Sequence, residues 1–223
     1  MTANRDSALA ALIGEAYRLR LLGGLEERLS IYGYSCIAGV DEVGRGCLAG
    51  PVMAAAVIPD PSCLVPGVDD SKHLSPVQRE RLADVIRANS LASAVAPVSA
   101  SDIDRSNILE ATRQAMRRAL GDLETAPELV LIDAVRLADL QWPQLSIIRG
   151  DSISYAVACA SILAKVARDR LMVELDREYP QYGFASNKGY GAAGHLEALA
   201  QYGPCPEHRL TFRSVVPRKE MAL

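Results

Sequence analysis

Apolar positions recur along the chain in two different periods, and the change of period marks out its elements. Between residues 8 and 29, Leu9, Leu12, Ile13, Ala16, Leu19 and Leu22 stand at helical spacing, and Gly23-Gly24 interrupts the run. Short apolar runs then replace the helical pattern. Ile37 to Glu42 and Val52 to Ile58 flank a turn rich in glycine, which predicts strand, turn, strand, with Pro59-Asp60-Pro61 ending the second strand. Ser75 with Pro76 at the first helical position predicts a helix over Val77 to Ala88. Leu91 to Val98 alternates loosely and reads as a strand. Ser101 to Asn107 reads as a capping and turn region. The helix that follows, Ile108 to Leu120, places Ile108, Leu109, Thr112, Ala115, Met116 and Leu120 on one side. Arg113, Arg117 and Arg118 fall on the other, solvated side.

Leu129-Val130-Leu131-Ile132-Asp133 is a continuous apolar run ending in an acid, the signature of a strand buried on both faces. Ser146 to Ser152 is predicted as another short strand with an acid at its end. A long helix follows from near Ser154 to Glu178, closed by Tyr179-Pro180. Gly183 to Gly194 is irregular and rich in glycine, Leu196 to Tyr202 is a short helix, and Pro204-Cys205-Pro206 bends the chain into Glu207 to Arg213. No internal repeat and no low-complexity linker appears. Strands and helices in this order indicate an α/β protein.

At 223 residues the chain suits one domain, or one domain with a small appendage. A hydrophobic content of 49% with 23% charged residues is ordinary for a globular protein, and a net charge of -3 gives no sign of a polyanionic partner. The local balance differs. From Gly183 to Lys219 five basic residues (Lys188, Arg209, Arg213, Arg218, Lys219) face two acidic ones (Glu197, Glu207), with His195 and His208 in the same stretch. The tail is therefore the expected electrostatic footprint for a polyanion. Five scattered cysteines, with no C-x-x-C, suggest neither a disulfide framework nor a zinc site. No apolar run is long and charge-free enough to span a bilayer, and the N-terminus lacks the basic-then-apolar order of a signal peptide. A cytoplasmic protein without a membrane partner is expected.

The chemistry concentrates at Asp41-Glu42, which ends the first strand and precedes Gly44-Arg45-Gly46. Two acids at the end of a buried strand are costly unless a cation or a metal faces them, and hard oxygen donors suit Mg²⁺ or Mn²⁺. The glycines leave bare backbone for a phosphate or sugar. A solvated turn at a strand end is the plain alternative. Asp133 stands at a strand C-terminus, where ligands of open α/β sheets bind, or serves as a capping acid. Asp151 precedes the long helix, where a carboxylate commonly caps. Asp69-Asp70-Ser71-Lys72 is either a solvated loop or a lysine and hydroxyl presented to a phosphate. Ser161, Lys165 and Arg168 share one helical face and could steer a phosphate or pair with acids such as Asp169. The loop carrying Lys188 and Tyr190 could bring a ring against a sugar or base.

If the three acid-ended strands are neighbours, four carboxylates converge. So many like charges repel unless metallated, and two divalent ions roughly 4 Å apart remove the conflict. Such a site supports in-line attack of water on a phosphodiester, and no His or Cys cluster competes for the role.

The motifs in order extend this picture. Asp41-Glu42-Val43-Gly44-Arg45-Gly46, Asp69-Asp70-Ser71-Lys72, Leu131-Ile132-Asp133, Gly150-Asp151 running to Ser161-Ile162-Leu163-Ala164-Lys165 with Arg168-Asp169, Lys188-Gly189-Tyr190-Gly191 and His208-Arg209 together resemble ribonuclease HII, the type 2 ribonuclease H, over roughly Ile37 to Val215. The resemblance implies a ribonuclease H-like mixed central sheet flanked by helices, with a small, mainly helical C-terminal segment. It divides the chain into an N-terminal helical lead-in (1–30), a catalytic core (31–180) and a substrate-binding segment packed on it (181–223). It implies a monomeric, Mn²⁺- or Mg²⁺-dependent endonuclease acting on RNA–DNA hybrids and ribonucleotide-containing duplex DNA. Such an enzyme cuts 5′ of a single embedded ribonucleotide, leaves 3′-hydroxyl and 5′-phosphate ends, and has a place in ribonucleotide excision repair. By the same resemblance Asp41, Glu42 and Asp133 match metal-binding acids and Asp151 the fourth active-site carboxylate. Gly44, Arg45 and Gly46 match the loop that reads the ribose 2′-hydroxyl, the group that separates RNA from DNA. Tyr190 matches the tyrosine that contacts the same ribonucleotide, and Lys72, Lys165 and Lys188 match substrate-binding positions. Ala134 stands where many relatives have glycine, Ala192 where threonine is common, and Thr211 where serine is frequent. A non-catalytic hybrid-binding module, a DNA resolvase or a type 3 ribonuclease H are the competing expectations.

Overall fold

The computed structural model describes residues 2–216. Its elements in chain order are α1 (Thr2–Leu22), α2 (Gly24–Ile31), β1 (Ile37–Val43), β2 (Val52–Pro59), α3 (Pro76–Ala88), β3 (Ser90–Val98), α4 (Ala100–Arg105), α5 (Ile108–Gly121), β4 (Leu129–Asp133), β5 (Gln144–Ile147), α6 (Tyr155–Glu178), α7 (Phe184–Asn187) and α8 (Ala193–Tyr202). The five strands form one mixed sheet in the order β3-β2-β1-β4-β5. β1, β2 and β3 pair antiparallel, whereas β4 and β5 run parallel to β1. This is the mixed central sheet flanked by helices expected from the sequence, with helices on both faces.

Alternation along β2 shows how the layers form. Ala54, Ala56 and Ile58 pack with Ala111, Ala115, Met116 and Leu120 of α5. Ala55 and Val57 face the other way, against Leu82, Ala83 and Ile86 of α3 and Ala158, Ile162 and Val166 of α6. Because both faces are covered, the strand reads as a continuous apolar run. Helix ends are fixed locally. Ser75 forms a reciprocal capping box with Gln78 at the start of α3, and Ser154 accepts from the Val157 N–H at the start of α6.

Three expectations need correction. The polar stretch Ser101 to Asn107 is not only a turn: Ser99 caps a short helix, α4, and Asn107 caps α5. Two closely spaced cap residues hid a helix of little more than one turn. The strand expected over Ser146 to Ser152 ends at Ile147, because Arg149 adopts a left-handed φ of 59° and the chain tightens into a 3₁₀ turn over Gly150–Ser152. Asp151 therefore lies on that turn rather than at a strand end. The N-terminal helical pattern is present, but Leu9, Leu12, Ile13 and Tyr17 of α1 are exposed, and Leu19 is the residue buried against the body. No helix of the described residues is long and apolar enough to cross a membrane.

The tightest contact in the sheet layer lies at Gly39 of β1. A Cβ placed there would sit 2.1 Å from the carbonyl carbon of Ala156 in α6. Backbone cannot yield at that distance, so only glycine lets α6 approach β1 this closely. Gly39→Ala is expected to cost about 3 kcal/mol or more of stability, at or above the upper end of ordinary overpacking. Urea unfolding of the variant checks this, and an unchanged midpoint would refute the close approach.

Candidate active site

β1 and β4 are parallel neighbours, with Val40 paired to Ile132. The next residue on each strand is an acid, Asp41 and Asp133, so the register sets two carboxylates side by side. Glu42 completes a cluster in which the three side chains offer oxygens within 4.8 Å of one another. These acids, Asp151, the Gly44-Arg45-Gly46 turn, Lys72, Lys165 and Tyr190 all line one cavity of about 310 Å³. Of the residues matched to metal-binding or substrate-binding positions, Lys188 falls outside it. It lines the adjoining groove with Arg79 and Arg170, and its Nζ lies 3.5 Å from the Asp169 carbonyl.

Four carboxylates and four cations (Arg45, Lys72, Arg79, Lys165) line the cavity, but they are not paired evenly. Lys72 Nζ lies 3.0 Å from Asp151, and Arg45 lies 3.3 Å from Glu42. Lys165 and Arg79 turn to Asp169, at 2.8 and 3.8 Å. Among the described residues, Asp41 and Asp133 have no cation at ion-pair distance. Burial pushes the Asp41 carboxyl well above its ordinary pKa, the Glu42 charge adds to this, and a hydrogen bond from Ser161 only partly opposes it. Burial also raises Glu42 against the pull of Arg45, and raises Asp133 against a hydrogen bond from the Gly150 N–H. For Lys72, burial works against the charge, but Asp151, Asp70 and Asp41 outweigh it and the ammonium is held above its usual range.

This arrangement fits a divalent cation. Glu42 Oε2 is buried without a hydrogen-bond partner among the described residues, and the two least compensated carboxylates stand beside it. The donors are hard oxygens, with no His or Cys near them, which suits Mg²⁺ or Mn²⁺. Asp41, Glu42 and Asp133 could hold such an ion directly, with Asp151 within the same cavity.

The stripe along α6 divides in function. Ser161 faces the site, with its hydroxyl 2.9 Å from that of Ser71. Lys165 lines the cavity, but Arg168 does not steer a phosphate: it is fully buried and donates to the carbonyls of Pro51, Lys188 and Ala49. Gly44 has φ 92°, and a Cβ there would lie 2.3 Å from Arg168 Nε, so turn and arginine fit only with glycine. The expected polyanion footprint of the tail is also revised. Arg209, His195 and His208 are buried, and Arg218 and Lys219 lie outside the described residues. Arg79 was not apparent from the sequence. It sits in the first turn of α3, donates to the Ser71 and Leu74 carbonyls, and resembles every other surface arginine until the fold turns it inward. Ala134 has a left-handed φ of 49° beside Asp133, a conformation that favours glycine.

Comparison with known proteins gives a consistent picture. The family model described as Ribonuclease HII matches residues 38–215. Ribonuclease HII of Geobacter metallireducens is 52% identical over 196 residues, covering 88% of this chain and 92% of that protein. Ribonuclease HII of Ruminiclostridium cellulolyticum is 48% identical over 198 residues, covering 89% of this chain and 78% of that protein. Among solved structures, ribonuclease H2 from Pyrococcus horikoshii superposes with a TM-score of 0.71 at 26% identity, covering 80% of this chain and 94% of that chain.

The raised carboxylates have a consequence for stability. The folded state holds their protons more tightly than the unfolded chain does. The stability this contributes is present below about pH 4, the unfolded carboxylate range, and is lost as pH rises through the raised folded values. At neutral pH the metal-free protein therefore carries a penalty at Asp41. Asp41→Asn is expected to raise the Tm of metal-free protein at pH 7 by about 2–4 °C, the equivalent of roughly 1 kcal/mol, and to blunt the further rise caused by Mn²⁺. Thermal melts with and without EDTA check this; a lower Tm in the variant would contradict the electrostatic account.

Proposed function

The chain belongs to the ribonuclease HII family, endonucleases that degrade the RNA strand of RNA–DNA hybrids, and from that premise we propose that it also cuts duplex DNA 5′ of a single embedded ribonucleotide, leaving 3′-hydroxyl and 5′-phosphate ends. One observation carries the reading. The cavity that gathers Asp41, Glu42 and Asp133 also presents the Gly44-Arg45-Gly46 backbone and the Tyr190 ring. Hydrolytic and ribose-reading groups therefore face the same space.

Asp41, Glu42 and Asp133 hold the divalent cation, with Asp151 as the fourth carboxylate of the site. When bound there, Mg²⁺ or Mn²⁺ supplies Lewis-acid stabilisation of phosphoryl charge and lowers the pKa of bound water. The protein's own groups select and orient the substrate. Gly46 is exposed on the cavity wall, where its N–H meets a 2′-hydroxyl or the adjoining phosphate. Tyr190, 45% exposed, offers a ring face to the neighbouring sugar. Lys72 is 77% exposed at the side chain although paired with Asp151, so it can contact a phosphate oxygen without leaving the site. Lys165 stands further along the same wall, and Lys188 marks the groove into which the duplex continues.

Asp41→Asn and Asp133→Asn are each expected to lower cleavage by at least about 10³-fold while binding to an RNA–DNA hybrid survives, as for loss of a group acting on the transition state. Cleavage that persists in either variant, or in excess EDTA, would exclude this mechanism. Tyr190→Ala is expected to reduce kcat/KM on duplex DNA with one ribonucleotide about 10-fold more than on a long hybrid, the scale of one lost stacking contact. Equal losses on the two substrates would remove Tyr190 from ribonucleotide recognition.

A further inference from the structure

His208-Arg209 lies in the C-terminal segment, remote from the carboxylates in sequence and absent from the cavity wall. Both side chains are buried. Arg209 donates through Nη1 to the Arg45 carbonyl at 3.0 Å, and through Nε and Nη2 to the Gly50 carbonyl at 3.0 and 2.9 Å. Among the described residues it has no carboxylate at ion-pair distance. Burial pushes its guanidinium down to about 10, which still leaves it charged at neutral pH. A charge buried without a counter-ion is costly, so the position is better explained by the geometry it imposes than by stability. A guanidinium can bridge two carbonyls in fixed directions, as an ammonium cannot.

Peptide planarity then does the rest. In a trans peptide the C=O and N–H point in opposite directions, and the described residues contain no cis bond. With the Arg45 carbonyl drawn inward to Arg209, the N–H of the same peptide, that of Gly46, is turned outward. Gly46 lines the cavity, and its N–H has no partner among the described residues.

His208 acts on the other recognition element. The Cys205 N–H donates to His208 Nδ1 at 3.0 Å, so the His208 proton must sit on Nε2. That nitrogen lies 2.9 Å from His195 Nε2, which must accept. His195 then carries its own proton on Nδ1 and donates to the Tyr190 carbonyl at 2.8 Å. A single tautomer on each ring satisfies all three bonds, and both rings are neutral: burial lowers both, His208 to about 4. Tyr182 packs edge-on against both rings, and Phe184 adds a further edge contact to His195. Backbone bonds lock the segment in place, from the Arg209 N–H to Leu48 and from the Gly50 N–H to Glu207.

We infer that His208 and Arg209 are positioning residues for ribonucleotide selectivity, Arg209 by aiming the Gly46 N–H into the cavity and His208, through His195, by fixing the backbone that carries Tyr190. This rests on the reading that the Gly44–Gly46 turn and Tyr190 sense the ribonucleotide. Two elements far apart in sequence thereby share one anchor, so their spacing on the substrate is set together.

The test is steady-state cleavage by the full chain, in Mn²⁺, of duplex DNA with one ribonucleotide and of a long RNA–DNA hybrid, with thermal melts of each variant. Arg209→Lys keeps the charge and cannot span both carbonyls. His195→Leu breaks the relay, and His195→Asn restores a donor near the former Nδ1. Arg209→Lys and His195→Leu are expected to lower kcat/KM on the single-ribonucleotide duplex roughly 10- to 100-fold more than on the hybrid, the scale of a misplaced recognition group. His195→Asn should recover most of the loss seen with His195→Leu. Equal losses on both substrates in Arg209→Lys, or a His195→Asn no better than His195→Leu, overturn the inference. Should His195→Leu fail to fold, Arg209→Lys and His195→Asn decide it, and an unchanged substrate ratio in Arg209→Lys overturns it. A wild-type protein that leaves the single-ribonucleotide duplex uncut would instead refute the underlying reading. A wild type that cuts it, with variants that keep its substrate ratio, refutes the inference alone.

Discussion

The site depends on the contact between α6 and β1 at Gly39. Because no Cβ separates the two backbones, the helix lies directly on the strand, and one stripe of its side chains meets a different part of the molecule on each turn. Val157 packs by the Gly150 turn that orients Asp133. Ser161 reaches Asp41. Lys165 enters the cavity, Arg168 ties the carbonyls of Ala49, Pro51 and Lys188, and Met172 fills the space beside Gly50 and Gly189. One long helix thus fixes the Asp41, Glu42 and Asp133 carboxylates, the Gly44–Gly46 turn and the Tyr190 loop in a single frame.

That frame carries electrostatic strain at the acidic cavity. Asp41 and Asp133 are held together without cations of their own, while nearby basic side chains are engaged by Asp151, Glu42 and Asp169. A protein built only for stability would pair or remove these acids. Behind the Gly44–Gly46 turn and the Tyr190 loop the reverse sign occurs: two guanidinium groups, Arg168 and Arg209, are buried with carbonyl oxygens as their hydrogen-bond acceptors, Arg209 also lying over the Phe212 ring. They cost desolvation, and they give fixed directions to peptide groups that would otherwise be free to turn.

The strands and helices were largely legible because burial imposes their periods. β1, β2, β4, α3 and α5 follow from apolar runs, a Pro after a capping Ser, and a one-sided helix. What escaped was short and set by caps or single dihedrals. α4 is little more than a turn between two capping side chains. The end of β5 depends on the left-handed Arg149, which nothing in its neighbours demands.

The carboxylates and the glycine turn stood out in the sequence as candidates, but a solvated turn and capping acids explained them equally well until the order of the motifs was matched to a family. Their convergence could not be read that way. It follows from the parallel register of β1 and β4, a pairing between segments some ninety residues apart. The fate of the basic residues was also beyond local pattern. Lys72, Arg79, Arg168 and Arg209 are the same kind of letter in the sequence, yet the first two line the cavity and the last two are buried scaffolding. Periodicity reports whether a face is apolar. It does not say which long polar side chain the tertiary fold will bury, because that is decided by where unpaired backbone carbonyls end up once the loops have closed.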